Sequence, residues 1–271
     1  MHARFAVVLG LIITLIACTT PIGQADRIAS AGGLQPLWLA GSRFHHAGYY
    51  RPQPSHTRLW VFLDGDGSPW IRQGTAIATD PTPRNPLGLR LAAATPGSVL
   101  YLGRPCYFAA RADAACDSRQ WTDGRYGRAV VDSLSEVLAG FLARHRFDSV
   151  VLVGYSGGGT LAALVAPQLP GITAVVTIAG NLDTDAWIAL HGYRPLTDSL
   201  NPALAPPLPA GLRQIHLVAA KDGTVPQAAM TRYLSRVPPG QIWNFAEFDH
   251  VCCWVQQWPS ILQRLDEELR R

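Results

Sequence analysis

From residue 37 onward the chain alternates short, unbroken apolar runs with longer stretches in which apolar residues recur every three or four positions. The short runs cover 59–63, 99–102, 149–153, 174–178, 215–219 and 242–248. Apolar side chains at successive positions predict strands buried on both faces, as in a parallel sheet covered by helices. Between them, Val130, Leu134, Val137, Leu138 and Phe141 share one helical face within 125–145, and 160–169 and 230–237 read as shorter helices. A last helix is expected from about Pro259, with Ile261, Leu262, Leu265 and Leu269 turned inward. The aromatic stretch 37–50, closed by Arg51-Pro52, suits one or two antiparallel edge strands. The pattern predicts a single α/β domain with a mostly parallel central sheet flanked by helices, and no internal repeat interrupts it.

Composition narrows the class. With 48% hydrophobic and only 15% charged residues among 271, the chain is neither disordered nor collagen-like. The 23 basic and 19 acidic residues are scattered, which leaves no electrostatic footprint for nucleic acid.

The first residues differ from the rest. His2 and Arg4 precede an apolar run from Phe5 to Ala17, too short to span a bilayer but suited to the core of an export signal. Leu15-Ile16-Ala17-Cys18 resembles the lipobox of bacterial lipoproteins. That resemblance implies cleavage after residue 17, acylation of Cys18, and a protein of the bacterial cell envelope, lipid-anchored to a membrane and facing the periplasm or exterior. The plainer alternative is an ordinary signal peptide with Cys18 incidental. Residues 18–35, small, polar and rich in glycine, are expected to be a flexible lipidated tether, leaving 36–271 as the folded domain.

The chemistry-bearing motif is Gly154-Tyr155-Ser156-Gly157-Gly158. It follows an apolar strand and opens a helix of small residues, the context in which Gly-x-Ser-x-Gly forms a tight turn that exposes the serine hydroxyl. Here the sequence resembles the serine hydrolases of α/β-hydrolase fold, over roughly residues 36–271. The resemblance implies a nucleophile, an acid and a histidine in that order, each after a strand. Asp222, in Ala220-Lys221-Asp222-Gly223-Thr224-Val225-Pro226, is the expected acid, and His250, in Asp249-His250, the expected base. Asp183, after the run 174–178, is the rival for the acid, whereas Glu247 falls within an expected strand. The oxyanion donors implied are the backbone N–H groups of Gly157 and Asp66. The family usually has His-Gly where this chain has Asp64-Gly65, and carboxylates beside a developing oxyanion oppose it unless turned away.

Other residues change the picture less. His45, His46 and His56 lack metal-ligand spacing with one another or with the cysteines, so no metal is expected, and His191 and His216 read as structural. No phosphate loop or dinucleotide fingerprint accompanies the glycines, so no cofactor is implied. In an oxidising compartment Cys106 is expected to pair with Cys116 and Cys252 with Cys253, a cross-link between the two loops being the alternative. The interval 180–214 is too short for a large cap. Trp70, Tyr107, Trp121, Trp187 and Trp254 fall in loops after strands, where this sheet binds ligands, and suit a small-molecule acyl substrate. The expected activity is cleavage of an ester, thioester or amide by a monomer. The rival reading is a catalytically inactive hydrolase-like lipoprotein that serves as an envelope binding or scaffold protein.

Overall fold

The computed structural model describes residues 20–54, 57–72, 74–108 and 113–270; Cys18 and His56 lie outside them. In chain order the described residues form α1 (Pro21–Ala31), β1 (Gln35–Ala40), β2 (His45–Arg51), β3 (Arg58–Leu63), β4 (Trp70–Ile71), β5 (Ala76–Ile77), α2 (Leu87–Ala94), β6 (Ser98–Leu102), α3 (Arg128–Arg144), β7 (Ser149–Tyr155), α4 (Gly157–Val165), β8 (Ala174–Ile178), α5 (Thr184–His191), β9 (Arg213–Ala219), α6 (Thr231–Leu234), β10 (Ile242–Phe245) and α7 (Trp254–Glu268). Eight strands make one sheet in the order β1-β2-β6-β3-β7-β8-β9-β10, and β4 and β5 form a separate hairpin. Within that sheet β2 alone runs opposite to the other strands, pairing antiparallel with β1 and β6. From β6 to β10 every pairing is parallel.

The unbroken apolar runs are explained by the sheet having two covered faces. Along β3, Trp60 and Phe62 point into a core shared with Trp254, Trp258, Ile261 and Leu265 of α7 and with α1 and α2. Leu59, Val61 and Leu63 point the other way, into a core with Val130, Leu134, Leu138 and Phe141 of α3 and Leu161 of α4. Each strand therefore needs apolar residues at both parities, which an exposed sheet face would not require. The 180–214 interval holds only the short helix α5 and connecting loops, so no large cap covers the sheet. No described helix is long and apolar enough to cross a membrane.

Several boundaries differ from the sequence expectation, and three of the differences have a clear physical cause. Most of the expected tether is helical: Thr20 accepts the Gly23 N–H at 3.1 Å as an N-cap, Pro21 begins α1, and Gly33 at φ +71° follows it. Ala25 and Ala29, one turn apart, are buried, and a Cβ at Gly32 would meet Ala93 Cα at 2.6 Å. The small residues that look flexible are thus those that let α1 approach α2 closely. The strand expected over 242–248 ends at Phe245, because the Phe248 N–H turns back to the Phe245 carbonyl. The last helix starts at Trp254 rather than near Pro259; the proline removes one backbone bond, and five buried side chains, two of them tryptophans, hold the helix across it.

Two imidazoles are sealed in the protein. His46 lies between the Gly103 carbonyl and Ser133, and His216 between Thr177 and Gln214. Burial lowers His46 to about 4 and His216 to about 3. Because the folded values lie below the unfolded value of about 6.5, the unfolded chain takes up these protons first as pH falls, and stability drops. Denaturant titration at pH 7 and pH 5 is expected to show a loss of about 2 kcal/mol for each ring at the lower pH, and His216→Gln should remove one ring's share of it.

Candidate active site

At the end of β7 the chain enters α4 through Ser156, which has φ +53° and ψ −123°. A serine in this region costs about 1–3 kcal/mol and persists only when its surroundings fix it. Here the Ser156 N–H donates to the Ile178 carbonyl at 2.9 Å, and its own carbonyl accepts from Gly159 at 2.9 Å and Asn181 at 3.1 Å. The flanking glycines are required by space. A Cβ at Gly154 would lie 2.2 Å from the Gly158 carbonyl oxygen, and one at Gly158 would lie 2.2 Å from that of Leu63.

Three strand ends converge on this turn. His250, beyond β10, places Nε2 at 3.0 Å from Ser156 Oγ and Nδ1 at 2.7 Å from Asp222 Oδ2. Asp222, beyond β9, is buried, and its Oδ1 accepts from the Thr224 N–H at 2.8 Å and the Val225 N–H at 2.7 Å. Hydroxyl, imidazole and carboxylate thus form one hydrogen-bonded series, able to take a proton from the hydroxyl and stabilise the resulting imidazolium. The His250 backbone is held separately, its carbonyl accepting from Tyr155 Oη at 3.0 Å and Trp254 Nε1 at 3.2 Å.

Asp183 takes no part in this series. It caps α5 by accepting the Ala186 N–H, and it binds Asn201 Nδ2 at 3.0 Å and Arg232 Nε at 2.7 Å. Asp249 closes its own turn by accepting the Val251 and Cys252 N–H groups. Trp187 and His191 of α5 both donate to the Thr224 carbonyl, tying that helix to the turn bearing Asp222. The cysteines pair as Cys106–Cys116 and Cys252–Cys253, the second pair directly following the His250 turn.

Both aspartates of the 64–67 loop are committed to other partners. Asp64 lies at the N-terminus of α2, where Oδ1 accepts from Gly65 at 2.9 Å and Gly88 at 3.2 Å, and Oδ2 from Tyr101 Oη at 3.2 Å. Burial nonetheless raises its carboxyl above the usual range. Asp66 binds Arg104 at 2.8 Å, Arg125 at 2.9 Å and Tyr126 Oη at 2.7 Å, and its carbonyl accepts from Tyr107 Oη at 2.9 Å. Burial alone would raise this carboxyl, and the two guanidinium groups outweigh that and hold it below the usual range. Among the described residues, no hydrogen bond occupies the N–H of Gly157 or of Asp66.

Ser156 and His250 open into a cleft of about 980 Å³ whose walls include Trp70, Ile77, Trp187, Tyr193 and Leu196. Of the five aromatics expected at this end, Trp70 and Trp187 reach the cleft. Tyr107, Trp121 and Trp254 are buried and serve as hydrogen-bond donors to the Asp66, Ala78 and His250 carbonyls. Arg104, Arg125 and Tyr126 were not anticipated, although Arg104 follows β6 at the strand end where α/β sites form. His45 binds Asp113 and His46 is buried, and among the described residues no three His, Cys, Asp or Glu side chains gather as a metal site.

The chain has the α/β-hydrolase fold. It superposes on a protein of unknown function and candidate alpha/beta hydrolase from Agrobacterium tumefaciens with TM-score 0.60 and 13% identity, over 87% of this chain and 97% of that one. An a/b serine hydrolase without lid from Xanthomonas campestris matches with TM-score 0.53 and 14% identity, over 88% and 94% of the two chains. An esterase from Pyrococcus furiosus matches with TM-score 0.54 and 12% identity, over 87% and 91%. No family model matches the sequence, and no curated protein sequence aligns with it significantly.

The packing at the turn yields a stability test. Gly158→Ala should cost about 2 kcal/mol or more by thermal denaturation, because its methyl group meets backbone, not a movable side chain. Gly211→Ala, which enters open space, should stay within about 0.5 kcal/mol of the parent protein.

Proposed function

We propose that the protein is a serine hydrolase acting on a carboxylic ester, thioester or amide of a small molecule, with Ser156 as nucleophile, His250 as general base and Asp222 as the orienting acid. The observation that carries this reading is the series Ser156–His250–Asp222, at 3.0 and 2.7 Å, at the floor of an open cleft. Ser156 Oγ adds to the scissile carbonyl as its proton passes to His250 Nε2, and the imidazolium then protonates the leaving group. Water, activated by the same imidazole, releases the acid from the acyl-enzyme. The N–H groups of Gly157 and Asp66 receive the oxyanion. Apolar walls around Trp70, Ile77 and Leu196 favour an apolar acyl or alcohol group and support an esterase-like activity. The aspartates that hinted at an inactive binding protein are engaged elsewhere, which favours the catalytic reading.

The protein is further proposed to work as a monomer in the bacterial envelope, held to a membrane by acylated Cys18. The two disulfides suit an oxidising compartment.

A serine-directed fluorophosphonate should label the protein at Ser156, and short p-nitrophenyl esters should be hydrolysed. Ser156→Ala is expected to abolish labelling and lower kcat roughly 10⁴-fold or more; labelling that survives in this variant rejects the assignment. Asp222→Asn should lower kcat about 10⁴-fold through loss of the productive tautomer. Asp183→Asn should instead weaken the fold through its contact with Arg232, and the reverse ranking would transfer the acid's role to Asp183. Cell fractionation tests the anchor: Cys18→Ala should leave the membrane fraction or fail to mature, and an unchanged membrane fraction argues against lipidation.

A further inference from the structure

The group behind the proposed oxyanion site is unusual in its charge. Asp66 is bracketed by two buried arginines, Arg104 with 3% and Arg125 with 7% of its side chain exposed. Two positive charges against one negative leave one positive charge over. Tyr126 Oη reaches both carboxylate oxygens at 2.7 Å, and Tyr107 Oη holds the Asp66 carbonyl, so the side chain and backbone of this residue are both fixed. The arginines are supported in turn. Arg104 faces the rings of Tyr107 and Tyr126, and Arg125 Nε donates to the Thr122 carbonyl at 2.6 Å.

This cluster sits directly against Gly157. A Cβ on Gly157 would lie 2.0 Å from Asp66 Oδ1, 2.5 Å from Tyr126 Oη and 2.8 Å from Arg104 Nη2. Arg104 itself pairs with Asp66 through Nη2 and lies over the Tyr107 and Tyr126 rings, which carry no formal charge to offset its own. In surroundings poor in water, a net charge this near acts far more strongly on a developing oxyanion than it would in solvent.

Building on the serine-hydrolase reading above, we propose that Arg104 and Arg125 are positioning residues for the reaction: through Asp66 they hold its N–H beside that of Gly157, and their surplus positive charge stabilises the tetrahedral oxyanion. Asp66 is then the means by which two arginines are seated behind the oxyanion site, Arg104 outside the cleft and Arg125 at its wall. Arg104 does not line the cleft, and two of the three guanidinium nitrogens of Arg125 are bound within the protein, so neither is laid out chiefly to grip substrate.

Arg125→Gln removes the surplus charge. Its kcat on a p-nitrophenyl ester is expected to fall about 10- to 100-fold with KM within about threefold. Its affinity for a trifluoromethyl ketone, which adds to Ser156 as an anionic hemiketal, should fall by the same factor. Arg125→Lys, which restores the charge, should recover most of both losses. A rise in KM at constant kcat would make Arg125 a substrate-binding residue and overturn the proposal. So would equal defects in the Gln and Lys variants that follow their loss of Tm, or unchanged kcat and ketone affinity. If Arg125→Gln does not fold, Tyr126→Phe carries the test: it removes hydrogen bonds to Asp66 but no charge and should lower kcat about fivefold at constant KM, with an unaltered kcat counting against the clamp. Fluorophosphonate labelling of the parent protein separates the two levels of failure. Without it the hydrolase reading itself falls; with it, a null result in these variants removes only the role of the arginines.

Discussion

The left-handed turn at Ser156 is the constraint to which the neighbouring structure is fitted. Its backbone is held from β8 by the bond to the Ile178 carbonyl and from the following loop by the Asn181 N–H. Holding it there drives α4 against the strand ends so closely that only glycine fits at 154 and 158. β7 must therefore lie between β3 and β8, whose carbonyl ends form the walls of the turn, and the loops after β3, β9 and β10 then converge on one point. A strained residue of this kind is affordable because the strain is spread over a sheet whose two faces are both filled.

Carboxylates near this point have been given separate tasks by their partners. Asp222 accepts two backbone N–H groups on one oxygen and leaves the other for His250. Asp183 is closed off by Asn201 and Arg232, so it cannot serve the imidazole. Asp64 is satisfied by the start of α2 and by Tyr101, and Asp66 by two arginines and a tyrosine. Of these four residues only Asp222 offers an oxygen to the His250 imidazole. Several acids can therefore lie close to Ser156 while a single one reaches the imidazole, provided every other acid is bound from behind.

Much of this was legible in the sequence, and what was missed has a common cause. The parallel strands could be read because burial on both faces leaves unbroken apolar runs, and the order of Ser156, Asp222 and His250 because each follows such a run. The two antiparallel strands at the edge were also foreseen. Helix α1 was not seen, since alanine and glycine suit both a flexible segment and a close helix contact, and only the partner helix distinguishes them. The partners of Asp64 and Asp66 could not be read either. Arg104 and Arg125 lie 38 and 59 residues away from Asp66, and pairs so distant leave no periodic trace in a single chain.

The spacing between Ser156 and His250 depends on a connection that the motif does not reveal. Tyr155 immediately precedes Ser156, and its hydroxyl donates to the backbone carbonyl of His250, while its ring packs at 5.2 Å from the imidazole. Trp254 donates to the same carbonyl from the first residue of α7, and its ring meets Phe245 and Phe248 at the end of β10. The turn carrying His250 is thereby fastened at one side to the strand that delivers Ser156 and at the other to the helix that closes the core. Neither attachment involves the imidazole nitrogens, which keep their hydrogen bonds to Ser156 and Asp222. Geometry of this kind is set by the fold before any ligand arrives, and under the proposed reading it is what would bring a weak nucleophile and a weak base together.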